Sequence, residues 1–142
     1  MASHRGGLNI GFDRKMVDHH RFTRDLIRLR WNHPALRGDN VNPFHVHNDN
    51  RVIAFHRWLD SGDDVIVAAT LSDTTWYNYS IGFPYPGHWT EVFNSDVYEN
   101  WVNPSVAGNA GGVVASGPPM HGFGASANVV IPANGFVIFA RA

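Results

Sequence analysis

The chain has 142 residues, 44% of them hydrophobic, no cysteine and a formal net charge of −1, which is enough for one domain with a real core and unlike the composition of a disordered chain. Without cysteine there is no disulfide framework and no thiolate metal site, and no apolar run approaches the ~20 residues that cross a bilayer. Residues 1–42 carry eight basic and four acidic side chains, residues 43–142 three and eight, so a basic segment precedes an acidic, aromatic-rich body, which disfavours nucleic acid as a partner.

Met1 to Gly7 has no apolar stretch behind Arg5 and does not read as a secretory signal. Residues 1–12 are expected to be flexible, as a native connector or a cloning remnant. Asp13 to about Trp31 is expected to be a helix, with Asp13 as N-cap and Asp18 near the positive end of the macrodipole. Phe22, Leu26 and Leu29 are spaced four and three apart and share one stripe, with six basic residues distributed around the other positions. Asn32-His33-Pro34 ends the helix, because the residue before a proline is pushed out of the α region.

From Phe44 the pattern changes to short strands. Arg51–Trp58 and Val65–Leu71 flank the turn Asp60-Ser61-Gly62-Asp63-Asp64 and form an expected hairpin. The second is apolar on both faces, as a central strand is. Thr75–Ile81 alternates, which puts Trp76, Asn78 and Ser80 on one side and Tyr77, Tyr79 and Ile81 on the other. The prolines of Phe83-Pro84-Tyr85-Pro86-Gly87 make a turn into a strand over His88–Phe93. Asn94–Gly112 is a long polar connection, in which Asn94-Ser95-Asp96 suits an Asx turn. Gly112–Ala115 is a candidate edge strand. Ala125–Ile131 and Gly135–Arg141 are strands joined through Asn134-Gly135, a pair that favours positive φ. The fold class is therefore mainly β, an antiparallel β-sandwich preceded by one N-terminal α-helix.

Two carboxyl groups ~5–5.5 Å apart are what a retaining glycosidase needs. Asp63 with Asp64, and Glu91, Asp96 and Glu99, are the acids close in sequence; adjacent strand residues point apart, and Asp63-Asp64 reads as a pair of solvated turn acids. Among nine histidines, His45 and His47 can share a strand face with His56 joining from the next strand, but scattered polar histidines are the plainer reading and no metal is assigned. His19 and His20 are adjacent and cannot share a helix face. No nucleophile elbow, phosphate loop or dinucleotide fingerprint is present, and no cofactor is implied. Asn78-Tyr79-Ser80 matches a glycosylation acceptor but falls within a strand.

Several pieces occur in an order that resembles the C-terminal end of a 1,4-α-glucan branching enzyme of the α-amylase superfamily. They are Arg24-Asp25-Leu26 and Pro34-Ala35-Leu36; Val52-Ile53-Ala54-Phe55-His56-Arg57; Val65-Ile66-Val67-Ala68-Ala69; Tyr79-Ser80-Ile81-Gly82 with Pro86-Gly87-His88-Trp89; and then Trp89–Asp96, Gly108–Val113, His121-Gly122 and Ser126–Pro132 with Phe136–Arg141. The sequence departs from that pattern at Tyr98-Glu99-Asn100-Trp101 and at Gly122-Phe123-Gly124. The resemblance implies that residues 13–38 correspond to the last helix of a catalytic barrel and residues 43–142 to a non-catalytic all-β domain. The parent would transfer α-1,4-glucan segments to 6-hydroxyls in glycogen synthesis, in the cytoplasm. Its catalytic carboxylates would lie on barrel strands upstream, so no catalytic residue is carried over.

The partner so implied is the barrel, which should cover Phe22, Leu26 and Leu29, with α-glucan as a second candidate. Trp101 and Tyr98 in the long connection, together with Trp76 and Trp89, are the candidate sugar-stacking rings, since sugar C–H faces pack on aromatic planes. A freestanding starch- or glycogen-binding module, and the C-terminal domain of another α-amylase-family enzyme, are the alternative readings.

Overall fold

A computed structural model describes residues 10–98 and 105–142 of the chain. Among these residues one helix, α1 (Ile10–Asn32), and a 3-10 turn (Pro34–Arg37) precede eight strands. These are β1 (Asn40–His47), β2 (Val52–Leu59), β3 (Asp63–Thr70), β4 (Trp76–Phe83), β5 (Gly87–Asn94), β6 (Gly112–Ala115), β7 (Ala125–Ile131) and β8 (Phe136–Arg141). A second 3-10 turn, Ser95–Tyr98, follows β5. The helix begins ahead of Asp13, which lies inside it and is not its N-cap. It ends where Pro34 demands, with His33 extended at φ −122° and ψ 91°. Of the segment 1–12 expected to be flexible, residues 1–9 lie outside the described residues and 10–12 are helical.

Strands β1-β2-β3-β8-β5-β6 form a six-stranded antiparallel sheet, and β4-β7 a two-stranded one. The β2–β3 hairpin and the central position of β3 are as the apolar patterns require. Alternation sorts the large sheet's side chains into two cores. Val52, Ala54, Ile66, Ala68, Val137 and Phe139 face the small sheet's Ile81, Phe83, Val129 and Ile131. Val65, Val67 and Ile138 face the other way, onto the helix. The molecule is thus three layers deep: helix, large sheet, small sheet.

Irregularities in the ladders redirect side chains that strict alternation would misplace. The β5–β8 register shifts between Glu91 and Phe93. Trp89 therefore joins the core between the sheets while Phe93 joins the one under the helix. A second shift falls between Trp76 and Tyr79, and both rings pack on the inter-sheet core. This corrects the alternating pattern, which sets Trp76 and Tyr79 on opposite sides. In the turn before β8, Asn134 takes φ +47°, the left-handed conformation its Asn-Gly context favours.

The stripe expected to await a missing partner already has one. Leu29 is buried, and Phe22 and Leu26 pack on the helix-side core with Val65, Val67 and Phe93. Phe22 meets Phe93, Tyr98 and Phe136 edge-on at 5.4, 5.6 and 6.0 Å. The sandwich's own outer face is the natural cover, because Val65 and Val67 of β3 and Phe136 and Ile138 of β8 are apolar there.

Candidate functional site

With the inner stripe satisfied, the helix presents a second one. Met16, Ile27 and Trp31 are 55%, 54% and 69% exposed. With His20 and Thr23 they follow each other at helical steps of three and four, so they share a face. Ile27 and Thr23 line a shallow, mostly apolar depression with His20, Arg24 and Arg28. Arg37 lies 5.0 Å from the Trp31 ring centroid, a cation–π contact at the stripe's C-terminal end. Periodicity reading concentrated on Phe22, Leu26 and Leu29, and the weaker stripe on the far side, interrupted by polar residues, went unread.

The candidate rings occupy separate environments. Trp101 lies outside the described residues. Tyr98 is a strut beneath the helix: its hydroxyl donates to Asp25 Oδ2 at 2.7 Å, and its ring stacks on Phe93 at 5.5 Å. That bond holds the Asp25 carboxyl below the usual carboxylate range, with Arg24 and Arg28 adding to it against partial burial. Burial, then the Asp25 carboxylate, push the Tyr98 phenol well above its ordinary value. Trp89 is 0% exposed, packs on Phe83 at 5.2 Å and donates its indole N–H to the Tyr85 carbonyl. Its ring is closed to a sugar, because β5 turns it into the core between the sheets. Trp76 is half-buried, edge-on to Tyr79 at 5.6 Å.

Around Tyr79 the fold assembles a ring surface that sequence reading did not foresee. The Tyr79 hydroxyl lies 2.7 Å from His45 Nε2. His45 stacks on His121 at 4.3 Å and lies 6.0 Å from His47. His45 and His47 do share a strand face, as their spacing suggests. His56 does not join them; it bonds Asp64 at 2.9 Å and stacks on Trp58. The third imidazole is His121, 74 residues downstream of His47 in sequence, which no local pattern could have supplied. Burial lowers the pKa of His121, and burial together with the two neighbouring imidazoles lowers that of His45. Among the described residues, no three of the His, Asp and Glu side chains converge as metal ligands.

Asp63, Asp64, Glu91 and Asp96 are engaged in the framework. Asp63 accepts the Ala35 N–H at 2.8 Å and so ties the 3-10 turn to β3. Asp64 is buried with His56, and Arg141 lies 4.0 Å away. Neither is a solvated turn acid: β3 begins at Asp63 and alternation turns the two carboxylates to opposite faces. Glu91 accepts from the backbone and side chain of Asn109. Asn94 Oδ1 accepts the Asp96 N–H, the expected Asx turn, and Asp96 in turn accepts the Ala107 N–H. Glu99 lies outside the described residues.

Two unequal antiparallel sheets packed face to face, with a helix on the outer side of the larger one, define an all-β domain of the sandwich class. Residues 45–142 match the family model described as alpha amylase, C-terminal all-beta domain, and the chain belongs to that family. It is 35% identical over 133 residues to the 1,4-alpha-glucan branching enzyme GlgB of Rhodococcus jostii, covering 89% of this chain and 18% of that protein. It is 34% identical over 121 residues to GlgB of Pseudomonas syringae pv. tomato, covering 81% and 16%. The chain therefore spans less than a fifth of the length of these relatives. The crystal structure of an alpha-amylase from H. orenii superposes with TM-score 0.54 at 18% identity, over 86% of this chain and 20% of that one, a likeness of fold alone. No described helix is long and apolar enough to cross a membrane.

Proposed function

We propose that this chain is the non-catalytic C-terminal β-domain of a 1,4-α-glucan branching enzyme working in the cytoplasm, seated against a catalytic barrel through the outer stripe of α1. The observation that carries the reading is the two-faced helix. Its inner face packs on the sheet, with Leu29 buried and Phe22 and Leu26 half-buried, while Met16, Ile27 and Trp31 remain exposed, an arrangement suited to a helix shared between two bodies. Residues 13–38 would then be the barrel's last helix and residues 43–142 the all-β domain. The chain's own part is mechanical. It holds that helix in place through Phe22, Leu26 and Leu29, and contributes no carboxylate pair to bond cleavage.

A chimera tests this. The matching C-terminal region of the Pseudomonas syringae GlgB is replaced by this chain, and branching is followed on iodine-stained amylose. Activity is expected from the chimera, none from the chain alone, and loss of soluble chimera when Ile27→Glu and Trp31→Glu are combined. Activity of the chain alone, or indifference of the chimera to the double substitution, would overturn the reading.

We place the glucan contact of this domain on the half-buried Trp76 and on Trp101, not on Trp89, which is closed in the core. Binding to insoluble starch lost on Trp76→Ala or Trp101→Ala supports that contact, and tight binding by the chain alone favours the freestanding module.

A further inference from the structure

His47, His45 and His121 form a column of imidazoles in which the upper pair overlap with centroids 4.3 Å apart and planes 26° from parallel. Two of the three come from β1. The third sits in the turn Met120–Phe123, closed by reciprocal backbone bonds of 3.0 and 2.9 Å. His121 and Gly122 both have positive φ, +55° and +82°, the signature of a type I′ turn. A histidine in this conformation is uncommon. The turn lies directly on β4: a Cβ at Gly82 would collide with the Met120 carbonyl oxygen.

The Gly82 N–H donates to His121 Nδ1 at 3.0 Å. A backbone amide can only donate, so Nδ1 must be unprotonated and the ring's one proton lies on Nε2. His47 is constrained alike, its Nδ1 accepting the Asn50 N–H at 3.1 Å. His45 is not, because the Tyr79 hydroxyl it meets can donate or accept.

The described neighbours of the column are aromatic rings. Phe44 lies 5.9 Å from the His121 ring and 4.7 Å from Phe123. Tyr79 is the titratable group that faces the column from β4. Beyond Phe123 comes His56, bonded to Asp64, with Arg141 on the far side of that carboxylate. Among the described residues the histidine–carboxylate pairs are His33–Asp63 and His56–Asp64, and neither reaches the column.

We infer that His121 is an acid-released latch: a proton on Nδ1 sets two donors against each other at Gly82 and a cation against His45, freeing the 120–123 turn from β4 and opening Phe44 and Phe123 to water. The release remodels the ring surface around Tyr79 without touching the helix side of the domain. Burial already lowers the pKa of both His121 and His45. The folded state thus prefers the neutral rings. The latch is whole above the ordinary imidazole value of 6.5 and is lost as pH falls below it toward the depressed folded value.

Amide hydrogen exchange on the 142-residue chain reads this directly. Between about pH 7.5 and about pH 5, and after correction for intrinsic exchange, the Gly82 amide should lose protection severalfold while amides of β3 and β8 keep theirs. His121→Asn keeps an acceptor for Gly82 and tolerates the left-handed backbone, and it should hold Gly82 protection constant over that range. His45→Phe removes the second titrating ring while retaining an aromatic partner for His121, and should leave the release in place. Gly82 protection that does not change with pH in the parent chain, or that falls equally in His121→Asn, would overturn the proposal.

Discussion

The side chain of Asn109 exchanges two hydrogen bonds with the backbone of Val130, accepting its N–H at 2.7 Å and donating to its carbonyl at 3.0 Å. A loop carboxamide thereby fills the place of a neighbouring strand on the edge of β7, the edge not taken by β4. The same side chain donates to Glu91 Oε2 at 2.7 Å, so one residue joins the long connection, the large sheet and the small sheet. Unpaired strand edges are sites of aberrant pairing, and here the loop closes one.

Asn109→Ala should therefore destabilise the domain by about 2–3 kcal/mol, since it strands both the N–H and the carbonyl of Val130, while Glu91 Oε2 keeps the backbone N–H of residue 109. Urea denaturation measures this. Asn109→Asp should be worse at neutral pH than in acid, because it sets a second carboxylate against Glu91. Equal loss at both pH values would remove charge repulsion from the account.

The two faces of α1 should respond oppositely in the free chain. Leu29→Ala empties a buried site and should cost about 2–5 kcal/mol, with protection lost along the helix in hydrogen exchange. Ile27→Glu lies on the exposed stripe and should stay within about 0.5 kcal/mol of the parent. A large loss from Ile27→Glu in the free chain would mean that the outer stripe has a partner within it.

Tyr98→Phe removes the bond that chiefly depresses the Asp25 carboxyl. A carboxyl with a lowered folded pKa stabilises above its unfolded value, and that support disappears as pH falls through the folded one. The substitution should cost about 1 kcal/mol at neutral pH and progressively less below the ordinary aspartate value of 3.8. Stability measured from neutral to strongly acid pH, with the Asp25 titration followed by NMR, checks both sides. An Asp25 pKa that does not rise in the variant would break the link.

His56 and Asp64 are a buried pair, their side chains 10% and 8% exposed. His56→Leu alone leaves the carboxylate without its imidazole and should cost about 3–5 kcal/mol. Replacing both by leucine should cost less than that single change, since burying an apolar pair removes the desolvation penalty as well as the attraction. A double-mutant cycle in which the double replacement is the more damaging would reverse that ordering.

The helix, its end at Pro34, the β2–β3 hairpin, the central β3 and the Asn134 turn could be read along the chain, because each depends on residues within a few positions of one another. So could the family, whose pieces run collinearly from the helix to β8. The face of a ring beyond a bulge could not. Trp76 and Tyr79 meet, and Trp89 and Phe93 part, because register shifts in β4 and β5 reverse the alternation that short patterns assume.

Covalent order thus determined most of the segments that become helix and strand, though not β1 over Asn40–His47, and what kind of domain they build, since periodicity, proline and turn residues act locally. Which face of α1 packs on the sheet, where Asp64 finds His56, and how His121 arrives over His45 were decided by tertiary structure alone. Those pairings depend on long-range sheet order, β3 beside β8 and β7 beside β4, and contacts of that reach have no counterpart in neighbouring residues.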